Sequence, residues 1–154
     1  MDTTRSIKSL LEKHPIIGID TVAFIYHLEE NQRYLPFTNV LFEMVENGTI
    51  KAVTSVVTVM EILVKPKKER NEQAVQEYKF ILQTFPNLKI KPIDFHTAEK
   101  AADIRAKYGI KPPNALQLGA ALTEGANAFV TNDEKLKQVE EIETIIMKHA
   151  LGIK

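Results

Sequence analysis

The sequence predicts an α/β protein: a three-layer α/β/α sandwich with a central parallel sheet of four to five strands. Short apolar runs of strand length recur at 16–20, 50–53, 88–93, 128–131 and 142–147, and between them lie apolar stripes at helical spacing. Strands separated by helices call for parallel pairing through right-handed crossovers, which leaves helices on both faces of the sheet. Composition agrees, being 44% hydrophobic and 26% charged with only 7 Pro and 6 Gly, as in ordinary globular proteins. A chain of 154 residues hides roughly 68–70% of the surface its unfolded form exposes, enough for a real core. Residues 1–154 read as one domain, without repeat or linker.

Taken in order, Ile16-Ile17-Gly18-Ile19-Asp20 is an apolar run closed by a carboxylate, as a buried parallel strand would be. Phe37, Val40, Leu41, Met44 and Val45 form a helical stripe that Asn47-Gly48 ends. A strand from Ile50 to Val53 leads to Thr54 and Ser55, good caps for a helix over Val56 to Val64, and Pro66 biases Lys65 out of the helical region. Glu61 then lies about two turns into that helix. Ala74, Val75, Tyr78, Ile81, Leu82 and Phe85 make a second stripe, stopped by Pro86-Asn87 ahead of a strand from Leu88 to Ile93. Thr97 to Tyr108 reads as a helix with Ala98, Ala101, Ala102 and Arg105 on one face and Gly109 after its end. Pro112-Pro113-Asn114 interrupts, and the spacing predicts Asn114 as the cap of a helix over Ala115 to Glu124, with Gln117 completing a capping box. Ala128 to Thr131, the turn Asn132-Asp133 and a last strand from Ile142 to Met147 complete the chain.

Charge and composition exclude several classes of function. The 20 basic residues balance 20 acidic ones, so there is no global cationic field, and any nucleic-acid site must be local. The one basic cluster, Lys65, Lys67, Lys68 and Arg70, reads first as a solvated loop. Absence of cysteine removes disulfides, zinc–thiolate sites and thiol nucleophiles. The N-terminus lacks the basic-then-apolar layout of a signal peptide, and the longest apolar run is interrupted by Thr, Ser and Glu, so a cytoplasmic protein without a membrane span is expected. His14, His27, His96 and His149 have no metal-like spacing, and no Gly-rich phosphate loop, G-x-S-x-G or H-E-x-x-H is present. Asp103 reads as a surface charge, and Asp2 and Asp94 as loop or cap residues.

Ligands of open parallel sheets bind beyond the carboxyl ends of the strands. Asp20 ends the first strand, Asp133 follows the Ala128–Thr131 strand, and Glu61 joins them if its helix starts at that edge. Three neighbouring carboxylates repel one another unless a cation neutralises them, and hard oxygen ligands suit Mg2+ or Mn2+. Asp20 and Asp133 are also plausible as simple helix or turn caps. Glu61 is harder to read that way, because an unpaired carboxylate in a largely apolar helix is costly, so it needs a partner.

In Ile17-Gly18-Ile19-Asp20-Thr21, Thr54 through Glu61, Ala106 through Leu116 and Phe129-Val130-Thr131-Asn132-Asp133, the sequence resembles the PIN-domain nucleases, and among them the VapC-type toxins of toxin–antitoxin pairs. The resemblance spans nearly the whole chain and rests on the order and spacing of the four blocks. It implies a metal-dependent endoribonuclease in which Asp20, Glu61 and Asp133 hold Mg2+ or Mn2+, Asn114 stands at a fourth catalytic position, and Thr21 and Thr131 are accessory. It implies hydrolysis of an RNA phosphodiester by metal-activated water, leaving a 5′-phosphate and a 3′-hydroxyl. A small antitoxin protein and a homodimer are the implied partners. The family usually has Asp where this chain has Asn114, a change that keeps one carbonyl oxygen but removes a charge and weakens metal affinity. Beside Glu61, the segment Lys65–Arg70 becomes a candidate guide for RNA phosphates.

The alternative that Asn114 raises is a weakened or inactive PIN domain serving as a protein- or RNA-binding module. A phosphoacceptor regulatory domain fits poorly, since Asp20-Thr21 supplies one carboxylate where adjacent acids are needed. A phosphatase of the haloacid dehalogenase type fits no better, because its D-x-D signature needs an acid where Val22 stands.

Overall fold

The computed structural model describes residues 3–153; the cap or loop role expected of Asp2 lies outside them. The described residues form a parallel five-stranded sheet between two helical layers, a three-layer α/β/α sandwich as expected. The strands are β1 (Ile16–Ile19), β2 (Lys51–Ser55), β3 (Leu88–Lys91), β4 (Ala128–Thr131) and β5 (Glu143–Ile146), in the spatial order β3-β2-β1-β4-β5. The chain moves outward from β1 to β3, then returns to the other side of β1 for β4. The carboxyl ends of β1 and β4 therefore flank the point where the winding reverses, the place where such sheets bind ligands.

Alternation along the strands supplies both layers. Ile17, Ile19, Ala128 and Val130 point to one face, where they meet α1 (Thr3–Leu11), α2 (Thr21–Leu28) and α3 (Leu35–Glu46), with Ile62 of α4 (Val56–Lys68) and Leu82 of α5 (Glu72–Thr84) at its flank. Val53 and Phe129 point to the other, against α6 (Phe95–Tyr108) and α7 (Pro112–Thr123). Gly18, paired in register with Phe129, lets α7 press on the sheet: a Cβ there would stand 2.7 Å from the Ala121 Cβ and 2.8 Å from the Phe129 ring. A short 3-10 turn over Glu134–Gln138 and a last helical turn, α8 (Met147–Ala150), bracket β5.

Three local expectations are corrected, and one element is added. Helix α4 does not stop before Pro66 but continues to Lys68, so Lys65, Lys67 and Lys68 lie in a helix and not in a loop. Proline is tolerated there because its ring is buried and the carbonyls of Lys65 and Pro66 accept from the backbone N–H groups of Glu69 and Asn71, at 3.0 and 2.8 Å. Helix α7 begins at Pro112, with Lys111 at the N-cap and no side-chain cap. Proline cannot prolong a helix, yet it suits the first turn, where no N–H is needed. Asn114 is thus the third helical residue and not the cap, and the capping box with Gln117 does not form. The buried face of α6 is Thr97, Ala101 and Ile104, whereas Ala98, Ala102 and Arg105 are exposed. Finally, α1 lacks a counterpart in the sequence reading, although Ile7, Leu10 and Leu11 carry its spacing. No described helix is long and apolar enough to cross a membrane.

Candidate functional site

Asp20 is the first residue beyond β1 and the N-cap of α2, so the cap reading and the site reading describe the same side chain. It is only 8% exposed. Its Oδ1 accepts the Thr21 backbone N–H at 2.8 Å and its Oδ2 accepts the Thr131 hydroxyl at 2.7 Å. Thr131 ends β4, and its Oγ1 in turn accepts the Asp133 N–H at 3.1 Å, which folds the Thr131-Asn132-Asp133 turn back over the sheet edge. Burial pushes the Asp20 carboxyl up from the usual range, against the two hydrogen bonds that lower it, and the negative charges of Glu61 and Asp133 push it further the same way.

Glu61 lies half-buried on α4. The partner it was expected to need is Thr21, whose hydroxyl donates to Glu61 Oε1 at 2.6 Å. Half-buried Asp133 is the N-cap of the 3-10 turn: its Oδ1 accepts the Lys135 N–H at 3.0 Å, and its Oδ2 accepts the Asn114 side-chain amide at 3.1 Å. Asn114, in the first turn of α7, thereby faces Asp133. The structure brings Asp20, Thr21, Glu61, Asn114, Thr131 and Asp133 together at the carboxyl edge of the sheet. It does not bring the basic cluster with them as a free set, because Lys65 forms an ion pair with Glu29 at 3.2 Å and that bond holds its ammonium above the ordinary lysine range.

Beneath the carboxylates lies a buried polar network that the sequence reading missed. Ser55 donates to Gln117 Oε1 at 2.6 Å, and the Gln117 amide donates to Thr21 Oγ1 at 2.9 Å and to Thr58 Oγ1 at 2.6 Å. Thr54 donates to the Ile19 carbonyl at 2.9 Å and lies 2.7 Å from Thr58 Oγ1, which lies 3.0 Å from Thr21 Oγ1. A hydroxyl has one proton and two lone pairs. With the amide protons aimed at it, Thr21 receives from Gln117 and sends its own proton to Glu61. The direction of the chain Ser55→Gln117→Thr21→Glu61 is therefore set by donor arithmetic. Its signal in the sequence was three hydroxyl residues, Thr54, Ser55 and Thr58, in an otherwise apolar stretch, where each requires a partner.

Among the described residues no group of three or more His, Asp or Glu side chains closes around a common point as a metal cage. The donor set nevertheless suits a hard divalent cation, for it consists of oxygens with acceptor capacity to spare. An ionised carboxylate offers about four lone-pair sites, and two of those on Asp20, one of those on Glu61 and two of those on Asp133 are taken by the bonds above. Histidine takes no part: His14 pairs with Glu143 and His149 with Glu134, while His27 Nδ1 lies 3.1 Å from Thr38 Oγ1. Asn132 bonds outward, to the Tyr26 hydroxyl at 3.3 Å and from the Lys148 N–H at 3.0 Å, so it braces the turn.

The PIN domain family profile matches residues 17–142. Among solved structures, the chain is similar to a chain of a toxin–antitoxin complex from Klebsiella pneumoniae, at 19% identity and TM-score 0.65 over 86% of this chain and 97% of that one. It is similar to a chain of VapBC2 from Rickettsia felis bound to a promoter DNA fragment, at 18% identity and TM-score 0.67 over 85% and 98%, and to one of FitAcB from Neisseria gonorrhoeae, at 20% identity and TM-score 0.63 over 87% and 99%. At such identities the likeness is one of fold. Comparison with curated protein sequences gives no match.

Proposed function

The chain belongs to the PIN domain family, whose members are nucleases, and from that premise we propose that it is a metal-dependent endoribonuclease, the toxin of a VapBC-type pair. The observation that carries this reading is the meeting of Asp20, Glu61 and Asp133, from three different elements, on a framework of hydroxyl and amide donors aimed at their oxygens. Such a framework holds charged groups in place before any ligand arrives, which is what positioning catalysis needs. Asp20, Glu61 and Asp133 would hold Mg2+ or Mn2+, with the Asn114 carbonyl oxygen as a neutral fourth donor. When bound, such a cation offsets the clustered negative charge, acidifies water and stabilises charge developing on a phosphoryl group. Thr131 and the Thr21 N–H fix Asp20, and the Thr21 hydroxyl fixes Glu61.

The fold neighbour that is a toxin–antitoxin complex supports a protein partner, read here as a small antitoxin. Carboxylates gathered at one edge of the sheet favour an Arg, whose fork can bridge two of them. A homodimer is supported by exposed apolar side chains such as Met60, 58% exposed, and Phe95, 87% exposed. The rival reading, a binding module without activity, draws on the Asn114–Asp133 hydrogen bond, which satisfies Asp133 without a metal. Incubation with single-stranded RNA and Mn2+ decides between them. The nuclease yields fragments with 5′-phosphates, and Asp20→Ala abolishes them; cleavage that survives Asp20→Ala, or none at all, rejects the catalytic reading.

A further inference from the structure

Two clefts open onto the carboxylates, and they differ in charge. Glu61 lines the larger, about 420 Å3, together with Glu29, Glu69 and Lys65, the last already committed to Glu29. Asn114 and Asp133 line the smaller, about 140 Å3, together with Lys111, Lys135 and Gln138 over a floor of Ile110 and Leu136. Neither Lys111 nor Lys135 makes an ion pair among the described residues. Asp133, the acid of this cleft, is instead met by the Asn114 amide and the Lys135 backbone N–H. The smaller cleft falls below the roughly 300–1,000 Å3 that encloses a whole small-molecule ligand, so it suits one compact group, and two lysines against the one Asp133 carboxylate leave it net positive, which favours an anion.

We infer that the cleft between Lys111 and Lys135 is a phosphate subsite, which holds the internucleotide phosphate of a single-stranded RNA adjacent to the one lying over Asp20, Glu61 and Asp133. This rests on the nuclease reading of those carboxylates. It also gives the strand a path. The larger cleft, with three glutamates and one paired lysine, repels a phosphate, so the backbone runs past the carboxylates on the side of α7 and the turn after β4. Lys67 and Lys68 in the last turn of α4, and Arg70 just past it, do not line this cleft and serve as its internal comparison.

Fluorescence anisotropy with an end-labelled single-stranded RNA oligonucleotide, in EDTA so that cleavage is suppressed, tests the subsite over a salt series. Each phosphate contact on a single strand contributes about 0.7 to the slope of log K against log salt. The double variant Lys111→Gln/Lys135→Gln is expected to lower the slope by about 0.7, one phosphate's share, and each single variant by about half as much, with no change in Lys67→Gln/Lys68→Gln. Both lysines are exposed, so the variants keep the fold, and the singles repeat the test at half the effect. An unchanged slope in the double variant, with RNA still bound, overturns the subsite and leaves the nuclease reading standing. So does a loss confined to Lys67→Gln/Lys68→Gln. Wild-type protein that neither binds RNA in a salt-dependent way nor cleaves it in Mn2+ overturns both.

Discussion

At the scale of single residues, Asn114 and Gln117 carry the most information, and each was misplaced by a plausible local rule. Asn114 has the chemistry of a cap, but two prolines ahead of it already form the first turn of α7, so its amide is free to reach Asp133 at 3.1 Å. That geometry makes Asn114→Asp far from neutral. The swap exchanges a hydrogen bond for two carboxylates in contact, which repel in metal-free protein. A carboxylate in the first turn gains about 0.3–1 kcal/mol from the helix dipole, and loss of the bond with its repulsion outweighs this, for a net loss of about 1 kcal/mol. Millimolar Mn2+ should reverse the order, and calorimetric titration should give tighter binding than wild type. Equal Mn2+ affinity in the two proteins would remove Asn114 from the site. Gln117 is buried with all its polar hydrogen-bonding atoms engaged. Gln117→Leu strips partners from Ser55, Thr21 and Thr58 at once and should cost about 2–4 kcal/mol in urea unfolding; a loss under about 0.5 kcal/mol would mean that the network is not a structural unit.

At the scale of elements, what could be read in advance was whatever depends on apolar period alone. All five strands lie within a few residues of the apolar runs that announced them, and Asp20, Glu61 and Asp133 followed once the strands were placed. Element ends were harder, because they turn on which of two rules for proline or asparagine wins, and α1, Thr3–Leu11, is short enough for its three apolar residues to pass as a tail. Helix–helix contact was not legible at all. Gly119 reads as an ordinary small residue of α7, yet a Cβ there would come within 2.9 Å of the Thr97 carbonyl and 3.2 Å of the Ala101 nitrogen, both backbone atoms of α6. Backbone cannot swing aside as a side chain can. Alanine gains about 1 kcal/mol of helix propensity over glycine, but overpacking costs about 1–3 kcal/mol. Gly119→Ala should therefore be net destabilising and, by pushing α7 off α6, should also weaken the Asn114–Asp133 approach. A thermal melt at or above that of wild type would show that the two helices separate freely.

On the scale of the whole molecule, the fold holds a charge that opposes its stability, and this gives the site a signature independent of any substrate. Burial lies behind the raised pKa of Asp20, with Glu61 and Asp133 adding to it. A carboxyl whose pKa is higher in the folded than in the unfolded chain binds more protons when folded, so the stability it contributes falls as pH rises through that window. At neutral pH, ionised Asp20 is then a burden on the metal-free protein. Asp20→Asn keeps the shape, keeps an oxygen for the Thr21 N–H and leaves an amide that Thr131 Oγ1 can accept, while removing the charge. Without metal, Asp20→Asn should melt above wild type at pH 7, and the gap should close as pH falls through the raised Asp20 pKa toward the ordinary aspartate value. Mn2+ should invert the order, because a ligand bound only by the folded state stabilises by about 2.7 kcal/mol at a hundred times its Kd, and the variant lacks the carboxylate proposed to hold it. Scanning calorimetry of the two proteins with EDTA and with Mn2+ reads both effects. Equal Mn2+ shifts in wild type and variant would place the cation elsewhere, and a variant that melts below wild type in EDTA would mean that the hydrogen bonds from Thr21 and Thr131 outweigh the desolvation of the charge they hold.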